Sequence, residues 1–330
     1  MVISQTPCRI SFAGGGTDFE DFYKEYEGFV VSTAINKYQY VIIKPRFDNK
    51  ITVNYRSVAE CVNNVDEITH AFIRECAKEV GLINGFDIIT LSDVPTEGSG
   101  LGSSSALIVG LLNAMKAFKG EKAEPEWLAK TACKIEIDIL KQPIGKQDQY
   151  IAAFGGFKAF NFIKDSDPIV IHLDPVDEQK YEMFRQIEDN LLLYYTKTIR
   201  NSFDILSEQK ANIQKNKDEL IALTDLAKHL YDNLITSNDP DIIGVSLNLG
   251  WMIKKKLSTN ISNTEIENMW RKAMGAGCLG AKISGAGGGG FCLMYCRKES
   301  KSQLRKVLSD YIELPFKFEK DGSKIIFNNM

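Results

Sequence analysis

Histidine is nearly absent from this chain. The three that occur in 330 residues, His70, His172 and His229, lie far apart, so no zinc-ligand spacing is present. The seven cysteines (Cys8, Cys61, Cys76, Cys133, Cys278, Cys292 and Cys296) are odd in number and contain no Cys-x-x-Cys pair. That argues for reduced structural thiols in a cytoplasmic chain. Neither charge is in strong excess: 40 Lys and Arg against 43 Asp and Glu give a net charge of -3, which supplies no basic face for nucleic acid. Long apolar runs are missing, and Met1 to Phe12 holds one cation, Arg9, without a signal-peptide core. No signal peptide and no membrane partner are expected. Two common nucleotide-binding strings are missing as well. Gly145-Lys146 is followed by Gln147 rather than a hydroxyl residue, so there is no Walker loop. Gly98, Gly100 and Gly102 have the wrong spacing for a Rossmann turn.

What is present is ordinary in bulk, with 44% hydrophobic and 25% charged residues, and suits two domains around two cores. Alternation predicts strands over 2–13, 28–47, 51–55 and 85–92, and again over 157–173 around a turn at 164–168. Helical spacing is expected over 66–80, 103–118, 126–140, 201–257 (broken at 238–240), 263–274 and 301–311. Residues 145–156 read as a loop or short helix and 174–189 as a polar connection. Leu191 to Thr196 reads as a strand, 281–296 as strand–turn–strand, and 316–327 as a closing hairpin. Strands and helices mixed in both halves predict an α+β fold of two domains, divided as 1–180 and 181–330. The helices of 201–257 either form a homodimer face or cover the sheet.

Three segments carry chemistry. In the first, Gly98-Ser99-Gly100-Leu101-Gly102 runs into Ser103-Ser104-Ser105 and an apolar helix. Alternating glycines let a backbone approach a ligand and expose successive N–H groups, and the helix points its positive end at the same spot. The pair makes an anion site suited to a nucleotide triphosphate, so ATP is the expected ligand. The second, Lys282-Ile283-Ser284 followed by Gly285 to Gly290, holds five glycines in six positions. It reads equally as a hairpin turn or as backbone that must approach something closely. The third, Arg9-Ile10-Ser11-Phe12-Ala13-Gly14-Gly15-Gly16-Thr17-Asp18, places a cation among strand residues and a carboxylate after a glycine run. Inward cations on strands need partners. Thr17 and Asp18 also suit a helix N-cap.

Together the three segments resemble the galactokinase–homoserine kinase–mevalonate kinase–phosphomevalonate kinase superfamily over the whole length. That resemblance implies an amino-terminal domain like ribosomal protein S5 domain 2 and a ferredoxin-like carboxy-terminal domain. ATP and Mg²⁺ are then expected in the cleft between them. Galactokinases carry Gly-Glu-His-Thr-Asp in the first motif, where this chain has Gly14-Gly15-Gly16-Thr17-Asp18. The first motif, with Pro143-Ile144-Gly145-Lys146-Gln147-Asp148-Gln149-Tyr150, is similar to the D-glycero-D-manno-heptose 7-phosphate kinases. Those enzymes phosphorylate the anomeric hydroxyl of a sugar phosphate used for activated heptose. Kinases of fucose, galactose or a uronic acid, and non-sugar members of the superfamily, remain alternatives.

The resemblance assigns roles by position. Asp148 is the general base toward the acceptor hydroxyl, and Arg9 offsets charge on the transferred group or serves as a structural ion pair. Gly98, Gly100, Leu101, Gly102 and Ser103 to Ser105 hold the triphosphate. Ser104 and Glu136 hold Mg²⁺, though Glu136 on its own also reads as a solvent-facing helix residue. Ser103 and Ser105 are candidate helix caps. Asp18, with Gly15, Gly16 and Thr17, faces the sugar, and Ser284, Gly285 and Gly287 back the substrate side. Lys197 and Arg200 are candidates for a substrate phosphate, with solvated loop charges as the competing reading.

Overall fold

The computed structural model describes residues 1–95, 98–198 and 202–330. The first unit is a sheet covered by helices. Its elements are β1 (Val2–Ala13), α1 (Glu20–Tyr26), β2 (Gly28–Pro45), β3 (Ile51–Tyr55), β4 (Val58–Val62), α2 (Ala71–Val80), β5 (Phe86–Ser92), α3 (Ser103–Phe118), α4 (Pro125–Cys133), α5 (Gln147–Phe154), β6 (Phe157–Phe162) and β7 (Ile169–His172). After α6 (Glu178–Asn190) the second unit follows: β8 (Leu191–Tyr195), α7 (Ser202–Ala211), α8 (Lys217–Thr236), α9 (Ile242–Lys254), α10 (Thr264–Gly275), β9 (Cys278–Ile283), β10 (Phe291–Cys296), α11 (Lys301–Val307) and β11 (Ile312–Glu313). The last strand is β12 (Lys324–Asn328). No helix among the described residues is long and apolar enough to cross a membrane.

β2 organises the first sheet because it is long enough to be shared. One flank pairs β1 antiparallel along nearly its whole length. On the other, residues 28–33 pair β6 and residues 39–45 pair β5. β3 joins β5 in parallel, and the edge strand β4 folds back on β3. The second unit carries a four-stranded antiparallel sheet in the order β11-β8-β10-β9. α3 is buried around almost its whole circumference, as its near-continuous apolar sequence requires, and packs on β1 and β2. One apolar cluster lies inside the first unit, and one lies mainly in the second, with Phe19 and Phe22 of the first packed into it. A third crosses between them, with Ile10, Phe12 and Phe29 meeting Leu230, Leu247 and Phe291. The two units are therefore joined through a shared dry core.

Four sequence expectations are corrected. Residues 174–189 are not a plain connection but contain most of α6. Asp177 caps it by accepting from the Lys180 N–H at 2.8 Å, and Lys180, Met183, Phe184 and Ile187 form its buried stripe. Residues 316–327 do not make a hairpin. Phe318 bridges to Ile35, and β12 returns to the first sheet to pair β1, so the chain re-enters the first unit after residue 313. The helix expected over 66–80 begins at Ala71, behind a short 3₁₀ turn at Val65–Glu67. The helix expected over 126–140 widens into a π-helical segment at Lys134–Ile139.

Candidate active site

Both glycine loops end in one cleft of 410 Å³ between the units. The 98–102 loop joins β5 to α3, and Gly98, Gly100 and Gly102 hold φ of 68°, 73° and 72°. The 285–290 turn joins β9 to β10 and is pressed onto it. Phe291 N donates to Ser99 O at 3.2 Å, and a Cβ built on Gly100 would stand 2.3 Å from Ser284 O. The second loop is thus rich in glycine because it meets another backbone, and only Gly285 and Ala286 of the turn reach the cleft. Gly100→Ala is accordingly expected to lower unfolding free energy by about 2 kcal/mol, from left-handed strain and overpacking together. An unchanged urea midpoint would contradict this.

Arg9 projects from β1 into the centre of the cleft and is 4% exposed. Its Nε and Nη2 donate to Asp148 Oδ1 and Oδ2 at 2.8 and 2.7 Å, and Nη1 donates to Gly100 O at 2.5 Å. This two-pronged geometry fixes both side chains. Asp148 stands in the first turn of α5, and the loop before that helix brings in Asp18. Asp18 is buried and accepts from the N–H groups of Gly16 and Gln147, both at 3.1 Å. Burial, with the nearby Asp148 charge, raises its pKa above the usual carboxylate value.

The end of α3 holds the other cluster. No side chain caps this helix; Gly102 takes the N-cap position in left-handed conformation. The expected caps are used elsewhere. Ser105 Oγ donates to Glu136 Oε2 at 2.7 Å, Ser104 Oγ to Glu136 Oε1 at 3.1 Å, and Ser103 Oγ pairs with Ser99 Oγ at 3.0 Å. The uncapped helix start leaves its positive end toward the cleft. Glu136 does not face solvent: it is 1% exposed. It continues the buried face of α4 at Ala129, Ala132 and Cys133, and Gln149 Nε2 donates to it at 2.7 Å. Burial raises its pKa to about 7.

Arg9, Gly15, Gly16, Asp18, Asp148 and Glu136 all line the cleft, as do Gly98, Gly100, Gly102, Ser103 to Ser105 and Gly285. Others do not. Thr17 is fully buried, with its hydroxyl spent on the carbonyls of Gly14 and Phe29. Leu101 gives its N–H to Ser99 Oγ at 3.4 Å and its carbonyl to Arg9 N at 2.9 Å. Ser284 lies buried behind the loop, and Gly287 packs against Ile261. Lys197 points its ammonium over the Tyr311 ring, 5.9 Å from the centroid, away from the cleft lining. Arg200 lies outside the described residues. Sequence reasoning missed Lys254, which reaches the cleft from the end of α9. It also left the far end of the cleft blank, where His70, Phe72 and Leu107 line the wall. Burial lowers the His70 pKa, which favours the neutral ring.

A glycine loop running into a helix start and a fixed arginine–carboxylate pair, set together in one cleft, suit a small-molecule phosphotransferase. Comparison with known proteins agrees. Residues 66–156 match the GHMP kinases N terminal domain and residues 230–313 the GHMP kinases C terminal domain. A D-glycero-alpha-D-manno-heptose 7-phosphate kinase of Campylobacter jejuni is 30% identical over 97% of each chain. A crystal structure described as a D-glycero-D-manno-heptose 1-phosphate kinase from Bacteroides thetaiotaomicron superposes with a TM-score of 0.81 at 25% identity, covering 100% of both chains. Lactococcus lactis galactokinase complexed with galactose shares the fold, with a TM-score of 0.76 at 17% identity over 98% of this chain and 94% of that one. The chain belongs to the GHMP kinase family. Membership makes it a kinase that phosphorylates an alcohol group, and implies ATP as the donor.

Proposed function

We propose that this kinase transfers the γ-phosphoryl group of ATP to the anomeric hydroxyl of D-glycero-D-manno-heptose 7-phosphate, giving the 1,7-bisphosphate. The observation that carries the chemistry is the Arg9–Asp148 pair at the meeting point of the phosphate cradle and the Gly15–Asp18 loop. The choice of acceptor rests on the heptose 7-phosphate kinase relative, aligned over nearly the whole of both chains.

In this reading Asp148 takes the proton of the acceptor hydroxyl as the O–P bond forms. Arg9 holds the carboxylate in register and offsets charge on the transferred group. N–H groups of the 98–105 segment hold the β- and γ-phosphates, and Asp18 accepts from sugar hydroxyls. Ser104 and Glu136 fit Mg²⁺. Both offer hard oxygen donors, and the Glu136 carboxylate is buried against hydroxyl and amide donors with no described cation beside it. Bound there, the ion would neutralise the phosphate oxygens.

The test is a panel of free sugars and sugar 7-phosphates with ATP, followed by ADP release. Turnover that requires the heptose 7-phosphate is expected. Turnover of free galactose or fucose with none of the heptose phosphate would overturn the reading.

A further inference from the structure

Three lysines end α9 in a row, and only one of them faces inward. Lys254 shares a helix face with Leu247, Gly250 and Trp251, and all four are buried. Its ammonium has three donors and one described hydrogen bond, to Gly285 O at 2.5 Å. It is 6% exposed and lines the cleft. Burial, and repulsion from Arg9, lower its pKa to about 8, against the pull of Asp18 and Asp148.

The space it faces lies above Gly15. A Cβ built there would stand 3.6 Å from Gln147 Nε2, 3.7 Å from Ser11 Oγ and 3.9 Å from Lys254 Nζ. One atom of this set, Ser11 Oγ, is buried without a hydrogen-bond partner, and so is Gln147 Oε1, the other end of the same amide. Buried orphan polar atoms are rare and need an explanation. Here a hydroxyl, an amide and a buried ammonium with unused donors surround one opening beside Asp18 and Asp148.

We propose that Ser11, Gln147 and Lys254 form an acceptor subsite above Gly15, gripping the hydroxyls next to the one that is phosphorylated. Lys254 is its specificity-determining residue, contributed by the second unit. The inference rests on the kinase reading above, which makes the ligand at this point the acceptor. Clustered hydroxyls suit the space better than a phosphate. Asp18 and Asp148 border it, so a second anion would be repelled. Vicinal hydroxyls can donate to the carboxylates and to Gln147 Oε1, and accept from Lys254.

Two variants test the subsite independently. Gly15 has no left-handed φ and only ordinary van der Waals neighbours, so Gly15→Ala should fold and simply fill the space. Lys254→Met keeps the length and apolar stem of the side chain and removes its charge. Both are expected to raise the acceptor KM about 10- to 100-fold, the worth of one charged hydrogen bond. Calorimetric affinity for a non-hydrolysable ATP analogue should stay within about twofold of wild type. A 2-deoxy acceptor should weaken wild type by a similar factor but add little to the defect of Lys254→Met. An unchanged acceptor KM in both variants overturns the subsite, as does nucleotide affinity falling in step with it. Kinetics are run on whichever sugar wild type turns over. A sugar other than the heptose phosphate would refute that assignment, and the same KM comparison on that sugar would still decide the subsite.

Discussion

Asp148→Asn is expected to cost about 10²- to 10⁴-fold in kcat, the range for a positioned general base, while nucleotide affinity stays as it was. The geometry explains why the loss should be confined to kcat. Both carboxylate oxygens accept from Arg9, at 2.8 and 2.7 Å, so the aspartate is fixed before substrate arrives. Its remaining lone pairs face the cleft. Asparagine keeps the shape but offers one oxygen and one amino group. Because both positions face Arg9, either orientation sets the amino group against a guanidinium N–H, and the neutral amide is no base for the acceptor proton. Arg9 still has Gly100 O at 2.5 Å to hold it in place, so the phosphate cradle should survive. Steady-state kcat, set beside the affinity for a non-hydrolysable ATP analogue, separates the two functions. A variant with nearly normal kcat would mean that the acceptor hydroxyl attacks without help from a base.

Parts of the site differ sharply in how far local sequence describes them. The β1 and α3 boundaries follow from local pattern alone, because a strand-like run that ends at a glycine triplet and an apolar helix bracketed by glycines have few alternatives. The 98–105 loop is legible for the same reason: its function depends on backbone exposure, which glycine spacing reports directly. Glu136 is harder. The buried face of α4 at 129, 132 and 133 continues to 136 by helical spacing, but a carboxylate at that place reads as solvated until its hydroxyl and amide partners are known. The close approach of the two glycine loops depends on the pairing of β9, β10 and β8, a long-range fact with no local trace. α6 is easily taken for a connection because its surface is strongly charged, although the stripe at 180, 183, 184 and 187 stands in the sequence. Lys254 is the instructive miss. A Lys254-Lys255-Lys256 run reads as a solvated helix end. Yet the buried face of α9 at 243, 247, 250 and 251 continues to 254 by simple 3.6-residue periodicity. The apolar stripe, rather than the charge run, is the useful signal.

Glu136→Gln should separate catalysis from stability by moving them in opposite directions. With the proposed role of Glu136 as a Mg²⁺ ligand, its loss is expected to lower kcat by about 10²- to 10³-fold, comparable to removal of one preorganised electrostatic contact at a transition state. The ligand-free protein should nevertheless become more stable above neutral pH. Burial raises the Glu136 pKa from 4.5 to about 7 in the folded chain. Below about pH 4.5 the group is protonated whether folded or not, and burial of its charge costs nothing. As pH rises toward 7 the unfolded chain ionises first, so the folded state loses ground, and the full penalty is present by pH 8. A shift of this size corresponds to about 3 kcal/mol at most. Glutamine carries no charge and escapes that penalty. Its carbonyl, standing where Oε2 does, can accept from Gln149 Nε2 and Ser105 Oγ, and the Ser104 hydroxyl can rotate to accept from its amino group. Thermal unfolding of both proteins without nucleotide, at pH 5 and pH 8, should show a Tm advantage for the variant that is small at pH 5 and widens at pH 8. Addition of Mg²⁺ and ATP should reverse the order at pH 8, because only wild type can use the ion to neutralise its buried carboxylate. A variant that is less stable than wild type at pH 8 and retains kcat would make Glu136 a structural residue, and Ser104 would then need another partner for the metal.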